Sequence, residues 1–404
     1  MVGVISVVAA TAGGVVLRQR VPSNVPAGPL AVAPRPAGAP LAPPLPALGR
    51  LSVVAALQGA VVFVDHAPRG ETPIEVDAAV GARAIRIEAD GYRPYETTVS
   101  VRANETTRLD LVLQREWPTT DPVQAVEPLA VVLDNQADAR PQTGLDHADV
   151  VYEALAEGGI TRFLALFGTQ PAEAIGPVRS ARDYFVNWAR EYGAPLVHIG
   201  ASPQAYATMR AAGIATLDET YGAAGFWRIA SRPAPHNAYT STAGARTALG
   251  SAGAKPGSFG GLHFTADVTR PAGSPATHAF IDFGRDDYWV DWDYDPATNM
   301  YGRGMNGLAH RDAATGEPLQ AANVIVESVS SALIPGDDAG RLAFAQVGSG
   351  RFVALLDGVA IEGRWSKRDA GAPTVYQTAD GSPLSLNAGP TWIEVIPPDG
   401  SLQI

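Results

Sequence analysis

The chain has 404 residues and a net charge of −11, which argues against a protein that coats nucleic acid or an anionic membrane surface. It contains no cysteine, which excludes disulfides, thiolate chemistry, cysteine-ligated zinc and a cysteine-linked lipid anchor. The 42 Gly and 33 Pro residues, with only 18% charged residues, indicate a strand-rich chain with many turns. The length predicts two or three domains.

The N-terminal residues differ in composition from the rest of the chain. Residues 1–17 are almost purely apolar, and Arg18 and Arg20 follow them. This length is near the lower limit for a membrane span, so we interpret residues 1–20 as a membrane anchor or signal segment. A buried core strand or helix is the alternative. Residues 21–50 are rich in Pro and Ala, which favours an extended linker that holds the following domain away from a surface.

Residues 51–115 show apolar residues at every second position, with turn signals between the runs. This pattern predicts five or more short strands in a small β-sandwich. The stretches GAVVFVDHAPRGETPIEV and GARAIRIEADGYRPYETTVSV resemble a PEGA domain. The matching positions are Gly59, Val64, Asp65, Gly70, Thr72, Pro73, Gly91 and Tyr92. The resemblance implies an extracytoplasmic β module without catalytic groups.

The pattern changes after a second linker at 116–128. Apolar runs at 129–134 and Phe163–Phe167 predict strands, and helical spacing predicts helices over 147–159, 180–193 and 202–213. Ser202 is the expected N-cap of the last helix. Strands that alternate with helices predict an α/β domain over 129–262. Consecutive strand patterns then predict an antiparallel β-rich domain over 263–404, so the expected fold class is multidomain α+β.

Long motifs in residues 128–398 resemble the YerB-like family of bacterial envelope lipoproteins, a family whose biochemical role is undefined. These motifs include LDNQADARPQTGLDHADVVYEALAEGGITRF, IGPVRSARDYF, RPAPHNAYTS, WDYDPATNMYGR and NAGPTWIEVIP. The resemblance implies a place on the extracytoplasmic face of the cell membrane. Members are typically anchored through a lipidated cysteine, and this chain has none, so the apolar N-terminal segment is the expected substitute.

Arginines at the ends of elements are the strongest functional signal in this acidic chain. The group consists of Arg140, Arg162, Arg179, Arg182 and Arg232. Ser180 to Asp183 is expected at a helix N-terminus, with Ser180 as the N-cap, where free N–H groups favour an anion. One interpretation is a site for phosphate, pyrophosphate or carboxylate. The alternative is that the arginines pair internally with Asp149, Glu153, Glu157 and Asp183 and hold the loops together.

Two further sets of side chains are candidates for chemistry. Glu153 and Glu157 are expected on one helix face, where either an arginine or a divalent metal separates their charges. No third metal ligand is evident in sequence, so we predict no metal and no cofactor. His198 ends a strand, and His236 and Asn237 lie in a proline-defined loop. Each histidine is either functional or bonded structurally to the backbone, and His236 and Glu153 are weak candidates for a catalytic base.

These features predict a membrane-tethered extracytoplasmic protein. Its arginine-rich site is expected to bind an anionic cell-wall polymer or an envelope protein, and no nucleic acid. One alternative is an envelope transferase or hydrolase that acts on phosphorylated or uronic glycans. A second alternative is a scaffold whose arginines are all paired internally.

Overall fold

The structure is a computed structural model that describes residues 47–404 except 56, 93, 112, 114–126, 251–256, 266–272, 285–287 and 297. The predicted membrane segment, residues 21–46 of the first linker and nearly all of the second linker therefore lie outside the described residues, while residues 48–50 of the predicted first linker belong to the first strand. The described part is predominantly β, with three α-helices, and its two ends are β-rich. This confirms the α+β class predicted from the sequence.

The first β-rich region contains two small sheets that share one core. Its strands are β1 (Leu48–Ala55), β2 (Val61–Val64), β3 (Ala67–Glu71), β4 (Ile74–Ala79), β5 (Gly81–Glu88), β6 (Tyr95–Val101) and β7 (Thr106–Leu111). One sheet has the order β4-β1-β7 and the other β3-β2-β5-β6. Inward residues such as Leu51, Val62 and Ile87 are fully buried, as the period-two pattern predicts.

The remaining strands begin at Leu129. They are β8 (Leu129–Asp134), β9 (Val150–Leu155), β10 (Thr161–Phe167), β11 (Leu196–His198), β12 (Thr216–Asp218), β13 (Phe226–Arg228), β14 (Ala238–Thr240), β15 (His263–Thr265), β16 (Ser274–Pro275), β17 (His278–Asp282), β18 (Trp289–Asp295), β19 (Met300–Met305), β20 (Leu308–Ala309), β21 (Gln320–Ala321), β22 (Asn323–Ser328), β23 (Ser331–Leu333), β24 (Leu342–Phe344), β25 (Gly348–Leu356), β26 (Val359–Lys367), β27 (Val375–Thr378), β28 (Ser385–Asn387), β29 (Thr391–Ile396) and β30 (Ser401–Gln403).

One eleven-stranded sheet runs through both the central and the C-terminal parts of the chain. Its order is β12-β11-β8-β10-β9-β29-β22-β25-β26-β16, and β27 also pairs with β26. The link between the two parts is the parallel pairing of β29 with β9. A six-stranded sheet contains β20-β19-β18-β17-β30 and β21, and β13–β14, β15–β28 and β23–β24 form two-stranded sheets.

The large sheet is buried on both faces. Alternate residues of β8 enter two separate cores, with Val131 and Leu133 on one side and Ala130 and Val132 on the other. Strands β8, β9 and β29 are buried at every position, which explains their continuous apolar sequences.

Three helices are present among the described residues: α1 (Asp183–Glu191), α2 (Pro203–Ala212) and α3 (Thr242–Leu249). Helix α2 begins as predicted, because the Ser202 hydroxyl accepts from the backbone N–H of Ala205 at 3.0 Å. Helix α1 starts later than predicted. Its N-cap is Arg182, with no side-chain cap, so the assignment of Ser180 as the N-cap was wrong.

The helix predicted over 147–159 was also wrong. Residues Val150–Leu155 form strand β9, and a short 3-10 turn at Glu157–Gly159 follows. A strand buried on both faces lacks the regular alternation of apolar and polar residues, so its apolar spacing matches a helix equally well. Glu153 and Glu157 consequently do not share a helix face.

Candidate functional site

Three parallel strands end at one edge of the large sheet, and each ends on a polar residue. Strand β11 pairs in parallel with both β8 and β12. The last residues of these strands are Asp134 on β8, His198 on β11 and Asp218 on β12. Arg162, near the start of antiparallel β10, lies opposite Asp134 in the register. Ligands of open α/β sheets bind at this kind of edge, beyond the carboxyl ends of the strands.

The segment 177–181 is inserted between the ends of β8 and β11. The Asp134 amide donates to the Pro177 carbonyl at 2.9 Å, and the Arg179 amide donates to Val132 at 2.8 Å. On its other side, the Ile199 amide donates to the Arg179 carbonyl at 3.1 Å. Backbone bonds on both sides therefore hold Arg179 at the sheet edge.

Four arginines meet at this edge, and we call them the arginine cluster: Arg162, Arg179, Arg182 and Arg341. Both Nε and Nη2 of Arg182 donate to the Glu157 carboxylate. Arg162 and Arg341 each approach Glu157 to 3.6 Å, and Arg341 also pairs with Asp337 at 2.9 Å. Arg182 lowers the pKa of Glu157 against the opposing effect of burial, so this carboxylate stays charged.

The carboxylates around the cluster are shared unevenly. Nε of Arg179 lies 3.1 Å from Oδ2 of Asp134, and the charge of Asp183 acts on Arg182. Glu157 is shared by Arg162, Arg182 and Arg341, so no carboxylate of the described residues pairs with Arg162 alone. Burial, followed by the charge of Arg182, lowers the pKa of Arg162 to about 10.

Hydrogen bonding in the cluster is also incomplete. Nε of Arg162 and Nε of Arg341 are buried and find no hydrogen-bond partner among the described residues, and Nε of Arg179 is not aligned for a bond to Asp134. The Arg162 side chain is 11% exposed, whereas those of Arg179 and Arg341 are 27% exposed. Arg179 and Arg341 are therefore the members that solvent or a ligand reaches most easily.

His236 joins the cluster through Asp134. Its Nδ1 lies 2.8 Å from Oδ2 of Asp134, the same oxygen that Arg179 approaches. The loop that carries His236 is rigid because Pro233 and Pro235 restrict its backbone. The fold thus brings His236 next to Asp134, which lies 102 residues earlier in the chain, and places Arg179 beside the same carboxylate.

His198 has a structural environment at the same edge. Its Nδ1 lies 2.9 Å from the Gly200 carbonyl, and burial lowers its pKa, so the ring stays neutral. Asp218 accepts from the Gly200 amide at 2.8 Å and from the Tyr206 hydroxyl at 2.7 Å. These bonds fasten the loop after β11 to β12.

Two exposed aromatic side chains, Tyr221 and Trp227, lie on segments next to those that carry Ser180 and Arg179. Tyr221 is 78% exposed. The residue before it, Thr220, lies close to Gly200, since the Thr220 hydroxyl oxygen is 3.4 Å from the position that a Cβ on Gly200 would take. The same Cβ would lie 4.0 Å from Cβ of Ser180. Trp227, 40% exposed, lies on β13, whose partner β14 bonds to the segment that leads into Arg179.

Arg140, Arg232 and Asn237 bond outside the arginine cluster, whereas Ser180 and Asp183 interact with it. Arg232 donates to the carbonyls of Ala139 and Pro141, and Arg140 donates to Asn135 at 3.0 Å. Asn237 accepts from exposed Arg228 at 2.9 Å. Ser180 contributes its carbonyl, which accepts from Arg162 at 3.1 Å, and burial raises the pKa of Asp183.

Glu153 lies in the protein core and cannot reach a ligand at the sheet edge. It is fully buried and accepts from Arg303, Asn135 and Thr161. Its neighbour in the parallel register is Glu394, also fully buried. We call Glu153, Glu394, Arg303 and His310 the core ion network. Sequence reasoning missed Arg303, Glu394 and His310, and also Asp134 and Arg341 of the sheet edge.

Two features are absent from the described residues. None of the helices in that part of the chain is long and apolar enough to span a membrane. Nor does that part contain three or more His, Asp or Glu side chains grouped to hold a metal ion.

Comparison with known proteins identifies three regions. Residues 48–116 match the PEGA domain family. Residues 115–255 match the N-terminal domain and residues 279–393 the C-terminal domain of the protein family of unknown function DUF3048.

A curated protein of Bacillus subtilis (strain 168), "Putative lipoprotein YerB", is 33% identical over 283 residues. The match covers 69% of this chain and 84% of that protein. The crystal structure of YerB protein from Bacillus subtilis superposes with a TM-score of 0.62 at 32% identity, over 72% of this chain and 97% of that one. The chain therefore belongs to the DUF3048 family and carries a PEGA domain before the two domains of that family.

Proposed function

We propose that this chain is an extracytoplasmic envelope protein whose arginine cluster binds an anionic cell-wall polymer. The carrying observation is that three arginines at the sheet edge share the single carboxylate of Glu157, while Nε of Arg162 and Nε of Arg341 find no hydrogen-bond partner among the described residues. An anion placed beside Arg179 and Arg341, the more exposed members, would accept from their guanidinium groups.

The proposed extracytoplasmic location is inferred from the family and not from the arginine cluster. The relative from Bacillus subtilis is named as a lipoprotein. This chain has no cysteine to carry a lipid, so the apolar segment 1–17 would act as the tether. That segment lies outside the described residues.

The exposed aromatics favour a polymer over a small free anion. Tyr221 and Trp227 are exposed, and each ring packs on one other ring, Tyr206 and Tyr239 respectively. Aromatic faces of this kind pack against the apolar faces of sugar rings, while arginines bind phosphate or carboxylate. A glycan that carries negative charges would use both features at once.

A second candidate function is catalysis on such a glycan. It is favoured by the pairing of His236 with Asp134, because a carboxylate that holds an imidazole in place is the usual arrangement for a general base. The arginine next to it would stabilise developing negative charge. Turnover of a phosphorylated polymer that is lost in His236→Asn, with binding retained, would establish this function.

The binding proposal is tested by sedimentation with purified cell walls, using intact walls and walls from which the anionic polymers have been removed. We expect the wild type to sediment with intact walls only. Arg179→Gln should reduce binding strongly, because it removes an accessible charge and leaves the bonds to Glu157 in place.

The matched control is Arg228→Gln, an exposed arginine paired with Glu219 outside the cluster. It should bind as the wild type does. Equal binding to stripped walls, or full binding by Arg179→Gln, would contradict the proposal. Loss of folding in Arg179→Gln would instead support the scaffold alternative.

A further inference from the structure

Lys367, Glu191 and Glu327 are distant in sequence but meet in the buried interior of the protein. Lys367 is the last residue of β26, Glu191 the last residue of α1, and Glu327 lies on β22. Nζ of Lys367 donates to Oε1 of Glu191, and each of these side chains is 1% exposed. Glu327 is 3% exposed and interacts electrostatically with both.

The surroundings hold all three groups in place. The Tyr376 hydroxyl donates to Oε1 of Glu327. The Thr374 amide donates to Oε2 of Glu191 at 2.9 Å, which orients that carboxyl toward Lys367. The buried rings of Tyr192, Trp188 and Phe352 belong to the core cluster on this face of the sheet.

Burial moves the three groups toward their neutral forms. It lowers the pKa of Lys367, raises the pKa of Glu191, and raises the pKa of Glu327 to about 7. A neutral amine has a free lone pair, and a neutral carboxylic acid is an electrophile, whereas the ammonium and carboxylate ions do not react. A second buried carboxyl, Glu327, has a pKa near neutrality and so can both accept and donate a proton there.

We propose that Nζ of Lys367 and Cδ of Glu191 form an intramolecular isopeptide bond. The nitrogen lone pair attacks Cδ, and a tetrahedral adduct forms. Glu327 relays a proton from the nitrogen to the departing hydroxyl group. The Cδ–O bond breaks and one water leaves, so the reaction needs neither oxidant nor reductant.

The interior favours this product over a buried ion pair. In water, the ammonium and carboxylate ions are strongly solvated, and that solvation opposes condensation. Inside the protein, the same ions have lost their water, while a neutral amide retains only ordinary hydrogen-bonding needs. The bond would join residues 176 apart, and so would constrain the unfolded chain in a protein without disulfides.

Peptide mapping of the purified full chain by mass spectrometry tests the proposal directly. Trypsin cleaves after Arg190, Arg210, Arg364 and Arg368, and a modified lysine resists cleavage. The cross-linked product is therefore residues 191–210 joined to residues 365–368, at the summed mass of the two peptides minus one water. Fragmentation should place the link between Glu191 and Lys367.

Two variants serve as controls. Lys367→Arg keeps a positive partner for Glu191 but cannot form the bond, so residues 191–210 should appear as a free peptide. Glu327→Gln removes the proton carrier and should leave much of the chain unlinked. Wild-type protein that is folded yet yields only free 191–210 and 365–367 would overturn the proposal and leave an ordinary buried ion pair. The wild-type map decides the question even if either variant fails to fold.

Discussion

Replacement of Glu394 by Gln should stabilise this protein at neutral pH. Burial, followed by the charge of Glu153, raises the pKa of Glu394 well above its ordinary value. Trp292 donates to its Oε1 at 3.0 Å, while no donor from the described residues reaches its Oε2. This arrangement is the one expected when Oε2 itself carries a proton and faces Glu153. Glutamine reproduces it, because an amide both accepts and donates.

The magnitude follows from proton linkage. The unfolded chain releases the Glu394 proton near pH 4.5, whereas the folded chain retains it. The free energy of unfolding therefore falls by about 1.4 kcal/mol for each pH unit above that value, as long as the folded group stays protonated. Between pH 5 and pH 7 this loss is at most about 3 kcal/mol, and Glu394→Gln removes it.

Urea unfolding at pH 5, 6 and 7, followed by tryptophan fluorescence, measures this effect. The stability of Glu394→Gln relative to wild type should rise across this range. Glu362→Gln is the control, because that side chain is 73% exposed and should change stability by less than about 0.5 kcal/mol. A difference between Glu394→Gln and wild type that is independent of pH would refute the reasoning.

Three further predictions concern packing, capping and the sheet edge. Gly363→Ala should lower the free energy of unfolding by about 1–3 kcal/mol, because the added Cβ would lie 2.2 Å from the Gln377 carbonyl oxygen. Gly302→Ala is the control: the nearest atom of the described residues would lie 3.8 Å from its Cβ, so thermal denaturation should show little change. Ser202→Ala should lower stability by about 1 kcal/mol in the same assay through loss of the α2 cap. Glu157→Gln should destabilise the protein more than Gly363→Ala or Ser202→Ala, because it removes the carboxylate that three arginines share. Added phosphate should restore part of the lost stability. An equal restoration by sodium chloride would contradict the anion-site interpretation.

Much of the fold could be predicted from local patterns. The strand at 129–134, the cap at Ser202 and the alternation of the first β-rich region depend on neighbouring residues, and all three are confirmed. Strand β9 could not be separated from a helix, because burial on both faces removes the period that distinguishes them.

The site was only partly predictable for a different reason. Arg162, Arg179 and Arg182 are close in sequence, so their grouping was visible. Asp134 and Arg341 complete the cluster from distant segments, and their roles depend on strand pairing that no local pattern encodes. The same holds for the core ion network, where Glu394 meets Glu153 only because β29 pairs with β9.

The central claim is that the arginine cluster binds an anionic polymer, and its most direct test is calorimetric titration with a short poly(glycerol phosphate) oligomer. The wild type should bind, and Arg228→Gln should bind equally well. Arg179→Gln should bind about tenfold more weakly or worse, since one charged hydrogen bond contributes at least about 1.4 kcal/mol. Equal affinities for wild type and Arg179→Gln would contradict the claim.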